Sequence, residues 1–151
     1  PQNEVYLSKV KTAIQDNRIE DKIVFLGHIG REQLQTELAG AMCMLLPSLQ
    51  ENAPMAISEA MAVGVPVIAS NRCGMPYMIE DNRSGFLVDP DDYTDIGNKI
   101  IQLASDESLC SHMGEKGREI ALSRFHPDVV AEKTVKAYDR VISGFKKETG
   151  R

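Results

Sequence analysis

Apolar residues recur at helical spacing between Glu4 and Asp16, at Val5, Leu7, Val10, Ala13 and Ile14, and then close up into the run Ile23-Val24-Phe25-Leu26, ended by Gly27. The first pattern predicts a helix and the second a short buried strand. The alternation then repeats. Arg31 to Ala39 reads as a helix, Ala41 to Leu46 as a strand stopped by Pro47, and Pro54 to Val63 as a helix with Pro54 at its first position. Val65 to Ala69 is the next strand, interrupted by Pro66 near its start; a short helix begins around Pro76, and Gly85 to Val88 is the last strand. Asp89-Pro90-Asp91-Asp92 offers carboxylates to cap a helix from Tyr93 to Ala104, and helical stretches follow at Glu107 to Arg124 and Pro127 to Phe145. Val130, Val135, Tyr138, Val141 and Ile142 are expected to dock the last of these.

Strands that are apolar almost throughout and alternate with helices predict an α/β, doubly wound parallel sheet covered on both faces, Rossmann-like in layout. The pattern opens on a helix and supplies only four strands, where a complete dinucleotide-type half has about six. First strands upstream of Pro1 are therefore expected to be absent, and 1–151 is read as one incomplete domain with a helical C-terminal tail.

Composition narrows the function classes. The 151 residues are 42% apolar, enough for a core without disulfides or a structural metal. Net charge is −5, Trp is absent, and there are only four Tyr and four Phe, so there is neither a basic stripe nor an aromatic platform for nucleic acid. Cys43, Cys73 and Cys110 are widely spaced and odd in number, which reads as reduced thiols in a cytoplasmic protein. The longest weakly polar stretch, Ala53 to Ala69, is broken by Ser58, Glu59, Gly64 and Pro66 and cannot span a bilayer, and no signal peptide is visible.

Ligands of open parallel sheets bind beyond the carboxyl ends of the strands, which singles out the loops Gly27 to Gly30, Pro47 to Ala53 and Ser70 to Gly74. The middle loop runs into the helix at Pro54, whose first-turn amides and dipole suit a phosphate, and Ala53 and Ala56 are small enough to admit one. Glu59 lies ~7–8 Å along that helix at 1.5 Å per residue. Position alone leaves two readings of it level: a ligand for ribose hydroxyls, or a carboxylate tied to backbone or an Arg. For Glu51, just before the helix, position alone favours an exposed acid stabilised by the dipole.

Spacing changes that balance. Seven residues separate Glu51 from Glu59 within Pro47-Ser48-Leu49-Gln50-Glu51-Asn52-Ala53-Pro54-Met55-Ala56-Ile57-Ser58-Glu59-Ala60-Met61-Ala62-Val63-Gly64-Val65-Pro66-Val67-Ile68-Ala69-Ser70. The string closely resembles the E-x7-E signature of group 1 retaining glycosyltransferases of GT-B fold, and the likeness extends over residues 23 to 92, through Val24-Phe25-Leu26-Gly27 and Ser84-Gly85-Phe86-Leu87-Val88. It implies a C-terminal nucleotide-sugar-binding domain that acts without a metal or other cofactor. Glu51 would be the catalytic residue facing the donor sugar, Glu59 would hold the ribose, and Ala53, Pro54, Met55, Ala56 and Ser48 would line the sugar and phosphates. His28 and Ile29 would lie by the base. The acceptor, a glycan or lipid, would be held by an N-terminal domain, with polysaccharide, lipopolysaccharide or glycolipid biosynthesis as the setting.

The resemblance has gaps. The family's G-G-x-x-E segment is replaced by Cys73-Gly74-Met75-Pro76-Tyr77, and its diphosphate-binding Arg and Lys have no counterpart here. A fragment acting alone is therefore expected to transfer no sugar. His28, His112 and His126 lack metal-ligand spacing, Cys73 reads as a loop thiol, and Cys43, Cys110 and most Met residues read as core. Lys146, Lys147 and Arg151 read as a solvated tail, with peripheral contact to anionic lipid at the inner membrane face as the alternative. Two rival classes are a nucleotide-binding module without transfer and a receiver-type signalling domain; the second lacks the Asp it needs at Leu46-Pro47 or Ala69-Ser70.

Overall fold

The computed structural model describes residues 2–149, and their side chains from 4 to 145. The side chains of Lys146 and Lys147, and Arg151 as a whole, lie outside the described residues. The chain forms two compact units, Pro1–Leu34 and Gln35–Arg151.

In the first unit, α1 (Gln2–Asp16) ends at a turn with Arg18 in the left-handed region (φ 54), and a 3-10 turn spans Glu20–Lys22. The predicted strand Ile23 to Leu26 does not form. The segment is not in a β-ladder, and Val24 and Phe25 are 78% and 58% exposed. Four apolar residues in a row signal burial, but a parallel strand exists only where a neighbour accepts its ladder bonds, and no described residue does so here. Next comes α2 (Arg31–Ala39), which matches its predicted bounds.

The second unit is built on a parallel sheet of three strands rather than the four expected, β1 (Met44–Leu46), β2 (Val67–Ser70) and β3 (Gly85–Val88), in that spatial order. Met44 pairs with Val67, and Val67 with Gly85. β2 starts after Pro66, which has no N–H for a ladder but whose carbonyl accepts the Met44 amide at 2.9 Å. Every residue of β2 is buried, as expected of a central strand covered on both faces.

Alternation along β2 builds two cores. On one face Val67 and Ala69 meet Ile57, Ala60 and Met61 of α3 (Met55–Ala62), with Met75, Met78 and Ile79. On the other, Ile68 meets Phe86 and Val88 of β3, Ile96 and Leu103 of α4 (Tyr93–Ser105), and Met113 of α5 (Glu107–Ile120). Each fully buried aliphatic or aromatic side chain contributes about 1.5–3 kcal/mol of transfer free energy. Cys43 and Cys110 are half-buried against this second core, and burial raises both thiol pKa values. Lys99 places its ammonium 4.6 Å from the centre of the Phe86 ring.

Helix ends follow local chemistry. The Asp92 carboxylate caps α4 by accepting the Asp95 amide, and Asp106 caps α5 by accepting that of Leu109, both at 2.9 Å. Pro54 has ψ 119, so it stands at the N-cap of α3 rather than at the first helical position. The helix predicted to run to Arg124 stops at Ile120 and passes into a π-helical turn, Ala121–Phe125. At the far end of α3, Gly64 sits in the left-handed region (φ 81) against Gly114 of α5, where an added Cβ would fall 2.1 Å from the Gly64 carbonyl oxygen.

Two features frame β3. On its outer side, the Leu87 amide donates to the Asp81 carboxylate at 2.9 Å, and Asp81 bridges to Gly85. Before it, Glu80 pairs with both Arg83 and Arg124 beside a cavity of about 290 Å³. The last helix, α6 (Pro127–Thr149), leaves Val130, Val135, Tyr138, Val141 and Ile142 between 47% and 70% exposed. These side chains therefore do not dock the helix as expected, because no described element covers them.

Candidate donor site

The three loops that follow β1, β2 and β3 leave the sheet at one edge, side by side in the order of their strands. The first, 47–54, carries half-buried Ser48 and Glu51, exposed Ala53, and half-buried Pro54 as the N-cap of α3. A proline cap offers no side-chain acceptor, and the first backbone bond of the helix is from the Ile57 amide to the Pro54 carbonyl. The amides of Met55 and Ala56 thus lie at the positive end of the helix without a side-chain cap. Ala56 is half-buried and adds little bulk there, whereas Met55 is exposed.

Glu59 stands one turn further along α3 and is half-buried. Neither its carboxylate nor that of Glu51 has a hydrogen-bond or ion-pair partner among the described residues. The alternative in which Glu59 is tied to backbone or an Arg thus finds no support here. Ser58, beside it, spends its hydroxyl on the Met55 carbonyl at 2.8 Å. Neither loop 47–54 nor α3 contains a Lys or Arg, so their positive field comes from backbone alone. Exposed His28 and half-buried Ile29 belong to the first unit.

The second loop braces the first. Gly74 donates its amide to the Glu51 carbonyl at 2.9 Å and passes so near the next residue that a Cβ on Gly74 would fall 1.4 Å from the Asn52 carbonyl oxygen. This explains the glycine. Cys73, at the position where the family pattern has its first Gly, takes φ 55, a conformation that glycine adopts freely. Tyr77, where the pattern has Glu, is exposed.

The third loop braces the second, and sequence reasoning missed it. Arg72 Nη2 donates to Asp89 Oδ1 and to Asp91 Oδ2, each at 2.7 Å, and the Asp91 amide donates to Asp89 Oδ1 at 3.0 Å. Donation from the Asp91 amide and then the Arg72 charge hold the Asp89 carboxyl below its usual pKa, and the bond to Asp91 raises that of the Arg72 guanidinium. Only Asp92 of the acidic run caps α4. The missed signal was the adjacency of β2 and β3, which brings residues 17 and 19 positions apart to one corner.

Comparison with known proteins agrees with this layout. N-acetyl-alpha-D-glucosaminyl L-malate synthase of Bacillus anthracis is 34% identical over 128 residues, which cover 85% of this chain and 32% of that protein. Sucrose-phosphate synthase of Thermosynechococcus elongatus superposes with a TM-score of 0.82 at 27% identity, over 91% of this chain and 34% of that one. Anabaena HepE, solved with UDP, shares the fold at a TM-score of 0.85 and 23% identity, over 92% of this chain and 38% of that one. The chain thus spans about a third of the length of the relatives it matches. The profile of the family described as Glycosyl transferases group 1 matches residues 3–120, and the chain belongs to that family, with the α/β fold of the C-terminal half of a GT-B glycosyltransferase.

Proposed function

We propose that this chain is the donor-binding part of a retaining glycosyltransferase that takes a sugar from a nucleoside diphosphate. The observation that carries this reading is the pair of half-buried, unpartnered carboxylates, Glu51 and Glu59, on either side of a helix start without a side-chain cap. Glu59 holds the ribose hydroxyls, and the Met55 and Ala56 amides face the diphosphate, with Ser48, Ala53 and Pro54 lining the approach. As the sugar–phosphate bond lengthens, negative charge grows on the leaving diphosphate, and the fixed amides and helix dipole stabilise it. Glu51 receives the hydroxyls of the sugar and orients the anomeric carbon. No general base is required of these residues.

The acceptor, a glycan or lipid of polysaccharide, lipopolysaccharide or glycolipid synthesis, is held by the portion of the enzyme that the relatives possess beyond this third of their length. The 151-residue chain alone transfers no sugar on this reading, and α6 ties it to that portion in the cytoplasm or at the inner face of the membrane.

Glu59→Gln in the full-length enzyme tests the assignment, since it keeps the size and removes the charge. Binding of UDP-glucose, UDP-N-acetylglucosamine and GDP-mannose is titrated calorimetrically, and the tightest is compared with its 2′-deoxy and 3′-deoxy forms. The substitution should weaken the parent ligand by about 1.5–3 kcal/mol, tenfold or more, and scarcely affect the deoxy forms. Equal losses for all would remove Glu59 from the ribose.

A further inference from the structure

A relay of short contacts reaches Glu51 from its backbone side. It starts at the turn after β3, where Asp89 and Asp91 are drawn together by the Asp91 amide and grip the two hydrogens of Arg72 Nη2. It passes to the turn after β2, whose first residues are fixed by the Arg72 amide on Ser70 Oγ at 3.1 Å and the Asn71 amide on the Val88 carbonyl at 2.8 Å. It ends at Gly74, two residues beyond Arg72, with the Gly74 amide on the Glu51 carbonyl and the Gly74 Cα pressed against Asn52.

We propose that Arg72 is a positioning residue for Glu51, which acts by clamping the Gly74 turn to Asp89 and Asp91. This role rests on the reading of Glu51 as the ligand of the donor sugar. Among the described residues no other backbone–backbone hydrogen bond holds residues 48–53, and the further tie to this loop, the Cys73 thiol on the Leu49 carbonyl at 3.9 Å, comes from the same turn, so that turn sets where the Glu51 main chain lies. The close approach at Asn52 makes the coupling stiff, because the turn cannot move toward the loop without displacing it. Stability does not account for the clamp. Its three side chains are partly exposed, and ion pairs open to solvent add little to stability. What it supplies is geometry: one guanidinium nitrogen fixed between two carboxylates on a neighbouring turn.

The test uses the full-length enzyme with Arg72→Met, Arg72→Lys and Asp91→Asn, and two readouts that a general loss of fold would not separate. The first, independent of any ligand, is hydrogen exchange at the Gly74 amide, which should quicken about tenfold in Arg72→Met as the local opening becomes easier. The second is the ratio of affinities for a nucleotide sugar and its bare nucleotide, from the pairs UDP-glucose with UDP and GDP-mannose with GDP. Arg72→Met should cut that ratio about three- to tenfold with the bare nucleotide within about twofold, Asp91→Asn and Arg72→Lys should fall between, and Glu51→Gln should make the Arg72 effect vanish. Unchanged exchange, an unchanged ratio, or equal losses for sugar and bare nucleotide would each overturn the proposal. Binding of neither pair by the unaltered enzyme would instead remove the donor-site reading, and this role with it.

Discussion

Alanine at Gly97 and alanine at Gly114 are the same chemical change on neighbouring helices, and their surroundings give them opposite signs. In a helix interior, alanine is favoured over glycine by about 0.8–1.0 kcal/mol. At Gly97 of α4 an added Cβ meets nothing within 4 Å, so Gly97→Ala should stabilise by about 0.5–1 kcal/mol. At Gly114 the Cβ would lie 2.1 Å from the Gly64 oxygen and 3.0 Å from its carbonyl carbon. Both are backbone atoms of the turn that ends α3, where the Gly64 amide bonds to Met61 at 3.0 Å, so α5 and that turn must part by about an ångström. Overpacking against backbone belongs in the upper part of the usual range, about 2–3 kcal/mol, which leaves Gly114→Ala about 1–2 kcal/mol less stable after the helical gain. Urea denaturation followed by far-UV circular dichroism reads both, with the midpoint moving and the slope unchanged. A Gly114→Ala protein as stable as its parent would mean that α3 and α5 do not approach as described.

Other expectations follow from single contacts. Cys73→Gly should raise stability by about 0.5 kcal/mol, since a side chain at φ 55 costs about 1–2 kcal/mol, most of which glycine gives back as backbone entropy and as the lost 3.9 Å contact of the thiol with the Leu49 carbonyl; a lower denaturation midpoint would refute it. Asp106→Ala removes the acceptor for the Leu109 amide and should cost about 1 kcal/mol in the same assay. The Asp89 carboxyl is held below its ordinary pKa of 3.8, so its contribution is present in full above that value and fades as pH falls through the lower folded value; Asp89→Asn should flatten the acid limb of the stability profile there.

Much of the fold is local enough to be read from the chain. α2 and β3 have the predicted bounds because their period and end signals coincide, and the acidic run before Tyr93 holds the cap of α4. Glu51 and Glu59 are singled out by the family resemblance of the string that holds them, not by position alone. Misreadings arise where the deciding partner is distant or lacks a side-chain signature. The run Ile23 to Leu26 announces burial without naming a neighbouring strand. The π-helical turn at Ala121 leaves the apolar rhythm almost intact, and one residue separates a proline N-cap from a proline at the first helical position. The role of Arg72 depends on β2 and β3 lying side by side, which no window along the chain contains.

The short strand β3 ends the sheet on its side, and its outward groups at Gly85 and Leu87 are engaged by the bridge to Asp81 and by the Asp81 carboxylate. A carboxylate in that position makes a poor template: an incoming strand would have to displace it, and would meet its charge as well as the occupied amide. That rim is guarded against aggregation by strand addition, as edge strands in soluble proteins commonly are. β1 ends the sheet on the other side and pairs only with β2 among the described residues. Growth of the sheet, whether by more of a longer polypeptide or by pathological pairing of copies, is therefore directed to the rim at Met44–Leu46. Replacing Asp81 with alanine would free the Leu87 amide and open the second rim to strand addition.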